Sequence, residues 1–376
     1  MMEHSSHPDA IVIGGGLIGS SIALRLAQAG LRVSVLDRGE PGAEASSAAA
    51  GMIAPQGEKP GFEPFAELCW ASHALYHQFV AEIEQLSGQE TGYRQGGTLL
   101  AALDEDQARE LDEIAAAQAR PGAGVERLSP AAAGRRLPGP SPAILSALFL
   151  PADQWLDNER LTAGVIEAAR RAGVAFLRQE AVGLEVREGR MISVATPQER
   201  LSAAEFILAA GCWSGALAAT AGLEIPTVPC RGQMLEFELE SDLPQVLRAG
   251  HHYLVPRGRG RVIVGTTAEY AGFEKAVTAG GLGSVLQAAL RLAPFLAEGR
   301  FVRAWAGLRP DTADHLPVLG RSGIKGLTLA TGHFRNGILL APITARLIAD
   351  LVVSGAGAPM LDPFRAERFP LAATVS

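Results

Sequence analysis

Helical and strand periodicities interleave along the chain. Ala10–Ile13 is a short β-branched run with no polar position, which predicts a strand buried on both faces of a parallel sheet. From Ser20 to Ala29 the apolar residues Ile22, Leu24, Leu26 and Ala27 keep helical spacing, and Gly30 reads as the stop. Leu31–Leu36 alternates as a second strand. The stretch 39–61 is small and turn-rich, a loop whose apolar part Ala48–Ile53 asks to be buried. Helical spacing predicts a helix over 62–87, with Leu68, Leu75, Phe79 and Ile83 on one face. A strand at 98–103 and an acidic helix at 105–119 follow, then a helix at 159–173 and a strand at 174–178. Residues 181–186 and 191–196 read as a hairpin, and 206–210 as another buried strand. Between 226 and 267 the pattern is antiparallel, with strands at 233–239, 253–256 and 262–265. A helix at 283–294, a glycine turn at 306–310, a strand at 327–330 and an apolar helix at 338–353 complete the chain, with Pro342 placed in the first turn of that last helix. Parallel-sheet and antiparallel segments alternate, so two discontinuous domains are expected.

Composition narrows this picture. The 376 residues include 43 glycines, against an average usage of about 7%. They follow no G-x-y period, so a local reason is needed, such as backbone that approaches a ligand. With 48% hydrophobic and 19% charged residues the chain is not disordered. The net charge of −7 and the lack of long basic runs argue against nucleic-acid binding. Three scattered cysteines, Cys69, Cys212 and Cys230, suit neither a disulfide framework nor a cysteine zinc site. They fit a reducing compartment, hence the cytoplasm. Ala10–Leu24 is uncharged and apolar but falls short of the ~18–20 residues of a membrane span.

The sharpest local signal is Gly14-Gly15-Gly16-Leu17-Ile18-Gly19, set between the first strand and helix, with Asp37 at the end of the second strand. Strand, glycine turn, helix, strand and acid stand in the order a dinucleotide site requires. Gly14 serves the tight turn, Gly16 the approach of a pyrophosphate, and Gly19 close helix–strand packing. Asp37 would accept hydrogen bonds from ribose hydroxyls. The helix start supplies N–H donors and partial positive charge. The motif does not separate FAD from NAD.

Further motifs carry a resemblance: Ser46-Ser-Ala-Ala-Ala-Gly51-Met52, Ala210-Gly-Cys-Trp213, His252-Tyr253-Leu-Val-Pro256-Arg257, Gly307-Leu-Arg309-Pro310, and Gly332-His333 through Pro342. The chain resembles the FAD-dependent amine oxidases of the D-amino-acid oxidase class, and within it the glycine oxidase branch of bacterial thiamine biosynthesis. The resemblance implies an α/β fold: a Rossmann-type FAD-binding domain (1–88, 142–218 and 305–376) interleaved with an α+β substrate domain on an antiparallel sheet (89–141 and 219–304). It implies non-covalent FAD, because the position of the covalent cysteine in relatives falls at Gly307. Arg309 and Tyr253 match the residues that hold the substrate carboxylate, and Arg335 and Met52 lie near substrate. Besides the fingerprint residues Gly14, Gly16, Leu17, Ile18, Gly19 and Asp37, the flavin contacts implied are Arg38, Ser46, Ser47, Ala49, Ala50, Gly51, Met52, Val182, Gly211, Trp213 and Arg309. His333, Arg335, Asn336, Gly337, Ile338 and Leu339 join them in the last flavin loop. No acid or base stands out, with His251, His252 and His333 as candidates. The implied activity is oxidation of glycine, sarcosine or D-alanine to an imine or oxo acid, with O₂ reduced to H₂O₂. A thiazole synthase would receive the imine, and a homo-oligomer, tetramer or dimer, is expected. A dehydrogenase passing electrons to another acceptor remains open, as do a non-catalytic nucleotide-binding protein and a tRNA-modifying flavoprotein subunit.

Overall fold

The computed structural model describes residues 7–56, 62–117, 123–139 and 141–369. Residues 57–61 of the turn-rich stretch and 118–119 of the acidic helix lie outside them. A six-stranded sheet runs, in spatial order, Val318–Arg321, Leu327–Thr331, Glu205–Leu208, Ala10–Ile13, Val33–Asp37, Ala175–Arg178. All its neighbours pair in parallel except the antiparallel first two. Ala10–Ile13 lies at the centre with both neighbours parallel, which explains its unbroken apolar run. The helix Leu17–Gln28 begins directly after the glycine turn, three residues before its apolar periodicity is evident. It packs with the long helix-bundle partners Asn158–Arg171 and Gly337–Ser354 on one face of this sheet.

The second sheet has eight strands, in the order Arg300–Asp311, Val228–Glu238, Arg261–Gly265, His252–Gly258, Val246–Ala249, Thr98–Ala102, Ser146–Leu150, Glu126–Leu128. Its pairs are antiparallel except Val246–Ala249 with Thr98–Ala102, which run parallel. One face is closed by the helix Ala279–Leu292 over Leu235, Val264, Leu254, Leu247 and Leu99. Ser146–Leu150 joins this sheet although the expected bounds put 142–218 with the other.

Two expectations are corrected. The glycine turn at 306–310 is the interior of the strand Arg300–Asp311, paired along its length with Val228–Glu238. Pro342 sits in the second turn of the helix Gly337–Ser354, not the first. That helix is apolar enough to meet a membrane-span test by length and composition, yet it is largely buried between Leu17–Gln28 and the helix Glu63–Ser87.

Candidate active site

At the end of the first strand Gly14 adopts φ +108°, and an added Cβ would run into Ala209 O. A Cβ at Gly19 would meet Gly14 O, so this glycine lets the helix lie against the turn. Gly15 N donates to Asp37 Oδ2 at 2.8 Å and Gly39 N to Oδ1 at 2.9 Å, which locks the carboxylate beside the turn. Leu17 N donates to Ser46 Oγ at 2.8 Å, so the loop after the second strand covers the helix start and takes one donor expected for phosphate. This loop is fastened from behind. Asn158 Nδ2 donates to Ser46 O and Ser47 O, and Arg257 Nη2 donates to Asn158 Oδ1 at 2.7 Å and Ala50 O at 2.9 Å. Burial pushes the Arg257 guanidinium down to about 10, against the acidic groups nearby.

The opposite wall is the second face of the large sheet. Cross-strand register sets Gly307 against Gly232, Trp305 and Gly265 against Met234, and Tyr253 between Gly265 and Arg248. Arg309 lies two residues beyond Gly307, on the same face and diagonal to Gly232. Its guanidinium lies flat over Gly232, where a Cβ would collide with it. Nη2 donates to Thr266 Oγ1 at 2.7 Å and Nη1 to Thr267 O at 3.2 Å. Among the described residues no carboxylate pairs with it. The Tyr253 ring lies over Gly265 in the same way, a Cβ there coming 2.6 Å from the ring, and its hydroxyl meets Met234 Sδ at 3.4 Å.

One cavity of about 1540 Å³ joins the two walls. Drug-sized pockets span ~300–1,000 Å³, so this one has room for a dinucleotide with a small substrate. Of the residues expected at the site, Gly19 and Ser47 do not line it; all the others do. Ser47 Oγ turns back to Glu44 O. Arg335 is exposed at the rim, and Val182 is half exposed inside it.

The cavity also exposes residues that no sequence signal singled out. Thr266 and Thr267 orient Arg309. Glu269 is buried in part, which raises its pKa, but bonds from Thr267, Arg231 and Gln233 outweigh this and hold it below the usual range. Tyr270 donates to buried Asp311 Oδ2 at 2.6 Å, and His315 Nδ1 lies 2.8 Å from Oδ1. That bond, then burial, keeps the Tyr270 phenol protonated. Arg38 stacks over Trp213 at 3.9 Å. Thr266, Thr267, Glu269, Tyr270, Asp311 and His315 lie in no motif, and only the spatial meeting of distant strands marks them; Arg38 and Trp213 are among the expected flavin contacts. Of the three histidines, His333 is buried against Thr344 Oγ1 at 3.1 Å and burial lowers its pKa to about 3. Burial, then His251, lowers that of His252, whose Nδ1 has no partner.

The family described as FAD dependent oxidoreductase, DAO, matches residues 9–351. The chain belongs to this family. It is 37% identical to the bifunctional protein ThiO/ThiG of Trichormus variabilis over 96% of this chain, spanning about 55% of that relative's length. It is 33% identical to the glycine oxidase of Bacillus licheniformis, over 96% of this chain and 97% of the relative. The crystal structure of glycine oxidase from Geobacillus kaustophilus superposes with a TM-score of 0.92 at 31% identity, over 97% of this chain and 99% of that one. FAD is therefore the cofactor of this DAO-family oxidoreductase, and the cavity fits it. The Gly14 turn admits backbone but no side chain, the first helix starts at the cavity, and Gln179 Oε1 is buried on its wall without a partner among the described residues.

Proposed function

We propose that this oxidoreductase oxidises glycine and other small amino acids, sarcosine and D-alanine among them. The product is an imine that hydrolyses to oxo acid and ammonia, while O₂ becomes H₂O₂. The observation that carries this reading is Arg309, a partly buried guanidinium facing the cavity, anchored by two neutral groups and lacking a carboxylate partner among the described residues. Its planar fork suits a substrate carboxylate held through two parallel bonds. Tyr253 adds a hydroxyl from the neighbouring strands, and Met52, Met234 and Trp305 give the apolar surroundings. FAD supplies the acceptor for the electron pair. The residues contribute orientation and exclusion of water. Arg335 stands at the rim as a second contact for flavin or substrate.

FAD is held non-covalently in this reading. Cys212 lines the cavity, but burial, then Glu44, pushes its thiol up to about 12 and Sγ points to Leu308 O. The two-domain division, with the six-stranded sheet for cofactor and the eight-stranded one for substrate, is part of the proposal. The ThiO/ThiG relatives support handing the imine to a thiazole synthase. A cytoplasmic homo-oligomer completes the picture.

A hydrogen peroxide assay of the purified protein with glycine, sarcosine, D-alanine, D-proline and L-amino acids tests the reading. Arg309→Ala should raise KM for the best substrate by ~10²–10³-fold while FAD stays bound. An unchanged KM, or loss of FAD, overturns the carboxylate role. Flavin reduced anaerobically by substrate that reoxidises only slowly in air overturns the oxidase assignment.

A further inference from the structure

We propose that Tyr76 and Ser72, on the helix Glu63–Ser87, are positioning residues: they fix the first turn of the helix Gly337–Ser354 and thereby the charge its end presents to the flavin. Gly337, Ile338 and Leu339 line the cavity. The loop leading into them is tied by Phe334 N to Pro310 O at 2.8 Å, next to Arg309, while the helix itself packs along Leu17–Gln28, which starts at the phosphate turn. The helix end is thus held by both ends of the cavity, and its first turn lines the space that FAD would fill. A helix N-terminus carries partial positive charge and favours an electron-rich partner.

This turn cannot hold its own shape. Pro342 has no N–H, so the Ile338 carbonyl four residues earlier loses its ladder donor. Tyr76 OH supplies that donor, at 2.6 Å from Ile338 O. At the next rung Ser72 Oγ donates to Leu339 O at 2.6 Å and accepts from Ile343 N at 3.4 Å, inserting into the ladder. Tyr76 and Ser72 stand one turn apart on a single helix face, both fully buried. No water could replace them without opening the core. A buried carbonyl left unsatisfied is costly, and the turn would relieve it by rotating its peptide units away from the cavity. The Pro342–Tyr76 pair therefore trades a local bond for one that registers two helices against each other.

The inference rests on the FAD assignment and not on the choice of substrate, so its test uses no amino acid. The dissociation constant for FAD and the flavin midpoint potential are measured for the native protein, Tyr76→Phe, Pro342→Ala and the double variant. Tyr76→Phe should weaken FAD binding by about 10-fold and lower the potential. In the Pro342→Ala background, where a peptide N–H again reaches Ile338 O, the same substitution should lose most of its effect. Ser72→Ala gives a second, smaller probe with the same readouts should Tyr76→Phe not accumulate. Equal losses in both backgrounds overturn the proposal. So does a lowered thermal midpoint with FAD affinity and potential unmoved, since that is what a merely structural contact would give.

Discussion

Two glycine clusters face each other across the cavity, and they do different work. At the phosphate turn, Gly14 and Gly19 make room for backbone: their missing Cβ atoms would strike Ala209 O and Gly14 O. On the large sheet, Gly232, Gly265 and Gly307 lie in extended strands and make room for side chains, those of Arg309, Tyr253 and Ala48. Backbone cannot yield, whereas the ends of the Arg309 and Tyr253 side chains can, and Ala48 can move only with the loop that carries it. The first cluster should thus tolerate nothing, and the second should trade function for fold.

The largest effect that would break this contrast is at Gly14. Gly14→Ala imposes φ +108° on an alanine and a collision with a carbonyl, a loss of at least about 3 kcal/mol. The expected outcome is apoprotein with a lowered thermal midpoint and no bound flavin; a yellow, stable variant would sink the argument. Gly232→Ala pushes on the Arg309 guanidinium instead. It should keep FAD and fold while KM for amino acid rises ~10–100-fold, read in steady-state kinetics. Gly307→Ala meets Ala48 in the cofactor loop, so a wall residue should act on the cofactor: FAD affinity falls about 3–10-fold, measured by flavin fluorescence, with KM nearly unchanged. The smallest effect is a pH dependence. His333 is buried and neutral, its pKa lowered from 6.5 to about 3 by burial. The unfolded chain therefore binds a proton in the window below 6.5 that the folded chain refuses. Stability is fully present above 6.5 and falls by about 1 kcal/mol over the first pH unit below it. Denaturant titrations at pH 6.5 and 5.5 should show this slope, and His333→Asn should reduce it, the remainder coming from His73 and His252, whose pKa values burial also lowers.

The contrast also explains what could be read from sequence. The phosphate turn is local: strand, Gly14–Gly19, helix and Asp37 fall within one stretch, and each piece is found as expected. The wall is not local. Gly232, Gly265 and Gly307 are far apart in sequence and become neighbours only through register. Read alone, Gly307 between Ala306 and Leu308 signals a turn, but pairing along Val228–Glu238 overrides it. Ser146–Leu150 pairs with Thr98–Ala102, far away in sequence, and Val246–Ala249 is held on one side by the adjacent His252–Gly258 and on the other by the remote, parallel Thr98–Ala102. Arg309 and Tyr253 were reached through resemblance. Nothing in the sequence marks Thr266, Thr267 and Tyr270, because a threonine pair and a lone tyrosine are ordinary loop composition until Arg309 and Asp311 lie beside them.

The place of Leu327–Thr331 in the six-stranded sheet has a consequence for how the protein is made. That strand lies beside Glu205–Leu208, and the helix after it covers the helix that follows the phosphate turn. The fingerprint leaves the ribosome well before its cover, which lies far downstream in the chain. A nascent chain therefore carries an exposed apolar helix face until synthesis has passed Ser354. Cofactor loading belongs after release of that segment, and a stalled chain should depend on chaperones even where free FAD is abundant.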